Sequence, residues 1–293
     1  MDFRMDTFLI VCRLLNLTKA AEQLNITQPA VTQHIHYLEN YYDCKLITYE
    51  GKKMYLTNAG KLLYEAAVTM KHDDMFLKEN MKGINSWKKR LRFGATLTIG
   101  EFVMAEHLNE YLTLYPDIEI EMFIGNTSEL LEKLKLNEID FALIEGYFPK
   151  NEFDYLVYSK EKFIPVCKWD FPFENNPRKL RDLLSERIIV RENGSGTREI
   201  LEKNLEARNL SFNDFNHVAQ IGGMAAIKSL VESGCGVTFL YEPAVKKEIS
   251  DGILMEIQLD DFQVVHDFSF VWNKGSIFSD NYQEICNLLK AKS

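Results

Sequence analysis

Residues 18–39 read Thr-Lys-Ala-Ala-Glu-Gln-Leu-Asn-Ile-Thr-Gln-Pro-Ala-Val-Thr-Gln-His-Ile-His-Tyr-Leu-Glu. The stretch predicts two short helices joined by a tight turn. Thr18 stands where a hydroxyl can cap the first helix by accepting from an unpaired backbone N–H. Ala20, Ala21 and Leu24 give that helix a small apolar face, and Asn25-Ile26 makes the turn. Thr27 caps the second helix, and Pro29 sits in its first turn, where a missing N–H costs nothing. Val31, Ile35 and Leu38 recur at helical spacing and face inward. The opposite face carries Gln28, Thr32, Gln33 and His36, with Ala30 beside Pro29 at its start. These neutral donors and acceptors are long enough to reach base edges, and Gln pairs bidentately with adenine. The stretch is therefore a helix-turn-helix, its second helix offered to the major groove of double-stranded DNA. An ordinary amphipathic helix pair shares the pattern, so the flanks have to decide.

Before the stretch, Phe8, Val11, Cys12 and Leu15 predict a helix that closes a three-helix core. After it, residues 45–56 read as strand, Gly-containing turn and strand, a β-wing bearing Lys52 and Lys53. Thr57 then caps a long helix. The charge agrees. Residues 1–92 hold 14 Lys and Arg against 10 Asp and Glu, a net +4, whereas the rest holds 20 against 33, a net −13. The basic portion is the one that meets phosphate.

Residues 1–60 resemble the winged helix-turn-helix of LysR-type transcriptional regulators. The match runs through Phe8, Thr18, Ala20-Ala21, Leu24, Thr27-Gln28-Pro29-Ala30, Thr32, Ile35, Leu38-Glu39, Leu46, Leu56-Thr57 and Ala59-Gly60, without gaps. The chain departs from the family at Leu15-Asn16-Leu17, where Gly-Ser-Phe is usual. It departs again in the first wing strand, where Ile47 and Tyr49 replace Phe and Arg. The second change removes the usual arginine from one wing contact to phosphate. The candidate DNA contacts are Thr18, Thr27, Gln28, Pro29, Ala30, Thr32, Gln33, His36, Lys52 and Lys53.

In residues 58–86, Leu63, Ala66, Met70, Leu77, Met81 and Ile84 recur at three- and four-residue steps, with a polar step at Asp73-Asp74. So narrow a stripe suits a helix that pairs with another helix; packing on its own domain is the other reading. The resemblance implies a dimerising linker helix. Gly83 to Ser86 ends it, and Trp87-Lys88-Lys89-Arg90 reads as a basic hinge.

From residue 91 the pattern alternates strand and helix. Strands are expected at 91–95, 118–124 and 139–144, with helices at 98–114 and from Thr127 or Ser128 to 136. This is a βαβαβ run with ligand sites at strand carboxyl ends. Strands at 163–166, 187–190, 217–220 and 236–240 predict a second sheet, with helices at 197–208 and 224–233. A last strand (267–273) and helix (278–290) return to the first lobe. Two lobes joined by crossings near 158–163 and 262–267 resemble the periplasmic-binding-protein-like effector domain of the same family. The turn Arg191-Glu-Asn-Gly-Ser-Gly-Thr-Arg198 is similar to one in a branch that includes regulators of sulfur assimilation. The expected architecture is thus an α/β multidomain protein. It comprises a winged helix-turn-helix (1–58), a linker helix and hinge (59–88) and an effector domain (89–293). Lobe I covers 89–162 and 267–293, and lobe II covers 163–266.

Turns between strand ends and helix starts collect free N–H groups and positive dipole ends. Thr96, Leu97 and Thr98 form one such turn, and Gly194, Ser195, Gly196 and Thr197 form another. Asn126, Thr127, Glu145 and Gly222 stand at equivalent strand ends. These residues read either as plain helix caps or as a site for a small anion or amino-acid-like effector as well. Glu145 and Arg191 either hold opposite ends of a zwitterion or are solvated loop charges.

Gly194-Ser195-Gly196 lacks phosphate-loop spacing and is not a nucleophile elbow, so neither nucleotide hydrolysis nor serine chemistry is read here. At 293 residues, 46% apolar and 26% charged, the chain suits two or three soluble domains. No apolar run reaches ~18 residues and no signal-peptide pattern opens it, so no membrane partner and a cytoplasmic setting are expected. The five cysteines (Cys12, Cys44, Cys167, Cys235, Cys286) show no ligand spacing, so neither metal nor cofactor is expected. The reading is a non-enzymatic regulator acting as a dimer or tetramer, with DNA, a small effector and RNA polymerase as partners. A thiol-based redox sensor using Cys167 or Cys235 is the alternative. A solute-binding protein or enzyme is more remote.

Overall fold

The structure is a computed structural model that describes residues 2–84 and 90–290. Helices α1 (Phe3–Leu14), α2 (Leu17–Leu24) and α3 (Gln28–Tyr41) close around Phe8, Val11, Ala20, Val31 and Ile35, all buried. Asn25 ends α2 in the left-handed region at φ 54°, a conformation that Asn tolerates, and so makes the tight turn. Thr27 caps α3 by accepting from Ala30 N at 3.3 Å. Thr18 does not cap α2. Asn16 does, in extended conformation, accepting from Lys19 N at 3.0 Å. The helix therefore starts two residues earlier than expected, and Thr18 lies within its exposed first turn.

Strands β1 (Ile47–Glu50) and β2 (Lys53–Leu56) pair antiparallel around Gly51-Lys52 and form the wing. Glu39 ties α3 to it. Its buried carboxylate accepts from Leu46 N at 3.0 Å and from Lys45 Nζ at 2.6 Å. Burial alone pushes the Glu39 carboxyl up, but the Lys45, Leu46 and His36 contacts outweigh it and hold the pKa below the usual value.

Helix α4 (Asn58–Ile84) leads out of this head. Leu62, Met70, Leu77 and Met81 are exposed along one side of it. The Asp73 step is not a gap in the stripe. His72 and Asp73 are buried on another side, against the effector domain, where Asp73 accepts from Ser276 Oγ at 2.5 Å and from Ile277 N at 3.0 Å. One side of the helix thus packs on its own chain; of the expected stripe, Leu63 packs against the head core and Ala66 is half-buried, while Met70, Leu77 and Met81 stay uncovered. The expected hinge residues 87–89, and the expected end at 85–86, lie outside the described residues.

Strand β3 (Arg90–Thr96) is followed by two short helices, α5 (Leu97–Phe102) and α6 (Met104–Leu114). The single helix expected here is broken at Val103, whose N–H closes α5 on Ile99 O at 3.0 Å. Next come β4 (Glu119–Gly125), α7 (Thr127–Lys135) and β5 (Phe141–Ile144), and β3 pairs parallel with both β4 and β5. Neither Thr127 nor Ser128 caps α7. Asn126 does, in a reciprocal box with Glu129.

Strand β6 (Phe153–Lys168) then crosses to the second lobe. There follow β7 (Arg187–Val190), α8 (Gly196–Glu206), β8 (His217–Gln220), α9 (Met224–Glu232), β9 (Val237–Tyr241), α10 (Glu242–Ser250) and β10 (Leu254–Glu256). Strand β11 (Val264–Asn273) crosses back, and α11 (Ser279–Leu289) closes the first lobe.

The expected second sheet is not separate. One nine-stranded sheet runs β4-β3-β5-β11-β6-β9-β7-β8, with β10 on β6. The reason is length. Strands β6 and β11 pair antiparallel from Val264–Phe163 to Asn273–Phe153, so their outer ends serve both lobes; a register shift at Phe268/Ser269 bends the ribbon between them.

Candidate functional site

On the head, the exposed side of α3 presents Gln28, Pro29, Gln33 and His36, with Ala30 and Thr32 half-buried and Thr27 exposed at the cap. Gln28 Nε2 donates to Thr32 Oγ1 at 2.9 Å, so the two polar side chains are paired with each other in the free protein. His36 Nδ1 lies 3.3 Å from Glu39 Oε2, which orients its ring from below. Lys52 and Lys53 are exposed at the wing tip. His34, also on α3, turns inward and pairs with Thr7 Oγ1 at 2.9 Å.

In the effector domain, the carboxyl ends of β3, β5 and β7 bring Thr96, Thr98, Glu145, Arg191, Ser195 and Thr197 together, and all six are buried. The lobes are in direct contact. Thr197 Oγ1 donates to Glu145 Oε1 at 2.5 Å, and Tyr241 OH donates to Glu145 O at 3.2 Å. Beside them Gly146 and Gly196 meet backbone to backbone. A Cβ on Gly196 would fall 2.7 Å from Gly146 Cα, so neither position has room for a side chain.

The cleft holds many buried polar atoms without partners. Thr96 Oγ1, Thr98 Oγ1, Thr127 Oγ1, Ser195 Oγ, Glu145 Oε2 and Arg191 Nη1 have no hydrogen-bond partner among the described residues. Thr96 and Ser195 do precede α5 and α8, yet neither hydroxyl caps its helix. Plain capping therefore does not explain them. Arg191 gives Nε and Nη2 to the Glu192 carboxylate at 2.8 and 2.7 Å and keeps Nη1 free. Burial pushes the Glu145 carboxyl above its usual pKa. The Thr197 and Thr98 hydroxyls, the Arg191 charge and the Thr96 hydroxyl oppose that rise without cancelling it. At the mouth, a cavity of about 260 Å³ opens between Thr127, Tyr147, Gly194, Ser195, Arg198 and Glu199.

Three expected residues stand apart from the polar cluster. Leu97 packs into the apolar core of the second lobe. Asn126 spends its side chain on the α7 cap. Gly222 is exposed and lies near the outer carboxylate of Glu192. Tyr241, by contrast, joins the site from outside the expected set. Its position at the carboxyl end of β9 was the signal that could have found it.

Of the two redox candidates, Cys235 is half-buried and Cys167 is buried, as is Cys286. At Cys167 and Cys286 burial pushes the pKa values up to about 12 and about 11. The thiolate is the reactive form, so neither is poised for oxidation. Among the described residues no group of His, Cys, Asp and Glu is arranged to hold a metal ion, and no helix is long and apolar enough to cross a membrane.

The head matches the bacterial regulatory helix-turn-helix model of the lysR family over residues 4–61, and the remainder matches the LysR substrate binding domain over residues 85–292. The chain belongs to the LysR family of transcriptional regulators: it is a DNA-binding regulator with an effector-binding domain. A helix-turn-helix regulator of Methanocaldococcus jannaschii is 30% identical over 268 residues, 89% of this chain and 88% of that one. The regulator CysL of Bacillus subtilis is 28% identical over 293 residues, 98% and 96% of the two chains. Among solved structures, full-length LysG of Corynebacterium glutamicum with bound effector arginine is similar with a TM-score of 0.67 at 13% identity, covering 99% of this chain and 98% of its own. A hydrogen-peroxide-bound OxyR mutant from the same organism gives 0.61 at 22% identity, covering 98% and 91%. At such identities these structures speak for the fold alone.

Proposed function

We propose that the effector of this regulator is a small amino-acid-like zwitterion held between the lobes. The observation that carries the reading is the set of six buried, unpartnered polar atoms in the cleft. Each buried donor or acceptor left unsatisfied costs about 1–3 kcal/mol, which a bound polar molecule recovers. Their chemistry is mixed. The free Arg191 Nη1 suits a carboxylate, and the free Glu145 Oε2 suits an ammonium. A plain anion fits only if Glu145 carries a proton, and so should bind more tightly as pH falls.

In the same reading, Gln28, Thr32, Gln33 and His36 contact bases, and Lys52 and Lys53 contact phosphate. Thr18, Thr27, Pro29 and Ala30 border them at the helix starts. The head (1–58), linker (59–88) and effector domain (89–293) act as units of a cytoplasmic, non-enzymatic dimer or tetramer that also meets RNA polymerase. The effector favours one arrangement of the lobes, and the resulting differential affinity changes how paired heads sit on DNA.

The test is isothermal calorimetry with amino acids, simple carboxylates and sulfur oxyanions, at two pH values, on wild type, Thr96→Val and Ser195→Ala. Losing one hydroxyl should weaken the binding of a charged ligand by about 1.5–3 kcal/mol. If both variants bind an active effector as tightly as wild type does, this cleft is not the input site.

A further inference from the structure

Strand β5 is four residues long and fully buried, with Glu145 directly after it at the cleft and Asp140 directly before it. Its neighbour β3 runs parallel, with Thr96 at the cleft end and Arg92 near the other. The two far ends are joined: Asp140 N donates to Arg92 O at 2.9 Å, and Arg92 Nη2 donates to Asp140 Oδ1 at 3.0 Å. Between the ends, Phe93 stacks on Phe141 at 5.0 Å and Phe141 on Phe270 at 4.3 Å. Such close-packed apolar strands move as a body.

At the far end they meet α4. The His72 ring is 1% exposed, with Nε2 3.6 Å from Asp140 Oδ1 and Nδ1 3.7 Å from Asp73 Oδ1. Phe76 stacks with it, and Tyr282 lies tilted beside it. Among the described residues, the charged or titratable groups facing the ring are Asp73 on α4, Asp140 before β5 with Arg92 of β3 behind it, and Tyr282 on α11. Both ring nitrogens lie beyond hydrogen-bond distance of any partner among the described residues. In an otherwise tightly packed path this contact is soft. A shift of under about 1 Å would make a hydrogen bond there.

The preceding residue reaches the other way. Lys71 Nζ donates to Asp6 Oδ1 of α1 at 2.6 Å. Thr7, beside Asp6, is the partner of His34 on α3. Adjacent residues of one helix therefore hold the effector domain and the DNA-binding head.

We propose that His72 is the coupling residue of this regulator: β3 and β5 carry the state of the cleft to Asp140, His72 passes it to α4, and Lys71 passes it on to α1 and the recognition helix. The inference rests on the cleft being the effector site, but its test uses no effector, so either can fail without the other. The carboxylates of Asp140 and Asp73 raise the His72 pKa despite burial, which makes the ring a usable reporter.

The experiment is histidine-ring NMR on the full chain, with the His72 signals assigned through His72→Gln. Thr197→Val removes the interlobe hydrogen bond to Glu145 without changing charge, and it should move the His72 signals and their titration midpoint. Thr113→Val, on the exposed side of α6, should not. Hydrogen exchange of α1 should change severalfold in Thr197→Val and much less when His72→Gln or Asp140→Asn is added. Should Thr197→Val fail to fold, Thr96→Val at the end of β3 replaces it. Unmoved His72 signals in a folded cleft variant overturn the proposal. So does an exchange change at α1 of the same size with and without His72.

Discussion

Thr197→Val tests how much the interlobe hydrogen bond contributes. The Thr197 hydroxyl and the Glu145 carboxyl are 2.5 Å apart, at 2% and 1% exposure. Valine replaces the hydroxyl by a methyl of similar size and keeps the β-branch, so neither a cavity nor a new rotamer enters. The loss is one hydrogen bond to the buried Glu145 carboxylate. Removing one partner of a buried hydrogen bond costs about 1–3 kcal/mol. For a domain of this size each kcal/mol is worth roughly 2–4 °C, so the effector-domain transition should fall by about 2–12 °C. Glu145→Gln behaves differently with pH. Burial raises the folded-state pKa of Glu145. The stability that the protonated carboxyl contributes is present below the unfolded pKa and is lost as pH rises through the folded one. Glutamine does not titrate, so Glu145→Gln should compare better with wild type as pH increases from about 5 to about 8. Differential scanning calorimetry of the three proteins across that range reads both effects. A Thr197→Val melt within about 1 °C of wild type, or a wild type–Glu145→Gln gap independent of pH, would refute the reasoning.

Other outcomes are expected in the head and linker. Glu39 has a lowered pKa; the stability it contributes is present above the unfolded carboxyl pKa and is lost as pH falls through the folded one. Glu39→Gln should therefore cost about 1–3 kcal/mol at neutral pH, and the gap should close in acid melts followed by circular dichroism. Gln28→Ala and Thr32→Ala should each weaken specific DNA binding by roughly 1–3 kcal/mol. Because these side chains bond each other, the double variant should lose less than the sum, as fluorescence anisotropy will show; equal losses on random DNA would remove both from base reading. Lys52→Ala with Lys53→Ala should weaken all duplexes alike and lower the salt slope by up to about two units. Met70→Glu with Leu77→Glu places charges on the uncovered side of α4 and should lower the sedimenting mass; an unchanged mass would put assembly elsewhere.

The head was largely legible in the sequence because its signals are local. Periodicity placed Val31, Ile35 and Leu38 inside, and Thr27 with Pro29 marked the start of α3. What failed there was a choice between neighbouring caps: Asn16 and Thr18 are both good capping types, and only the backbone shows which is extended. Long-range pairings were not legible. Nothing near Asp73 in sequence points to Ser276, about two hundred residues on, so a buried acceptor read as a polar gap in a stripe. The single sheet escaped for a similar reason. Whether β6 and β11 continue across both lobes depends on their mutual register, which the alternation of side chains in each strand leaves open.

The cleft hydroxyls mark where local reading stops being informative and where it could have gone further. Ser and Thr before a helix read as caps, and so Thr96, Thr127 and Ser195 were open to that interpretation. A capping box, however, needs an acceptor three residues later to return the hydrogen bond. Asn126 has Glu129, and it is the true cap of α7. Thr96 is followed at that distance by Ile99, and Ser195 by Arg198; neither can reciprocate, and neither hydroxyl turns back onto its helix. Thr127 lies one residue inside α7, where its cap is already taken. Each of the three hydroxyls is thus freed from its own helix by its neighbours, and each is buried on the cleft side without a partner. Folding alone has no use for three such groups lining one cleft. Their burial lowers stability unless something polar completes them, and that requirement ties the sequence of these turns to a ligand rather than to the helices they precede.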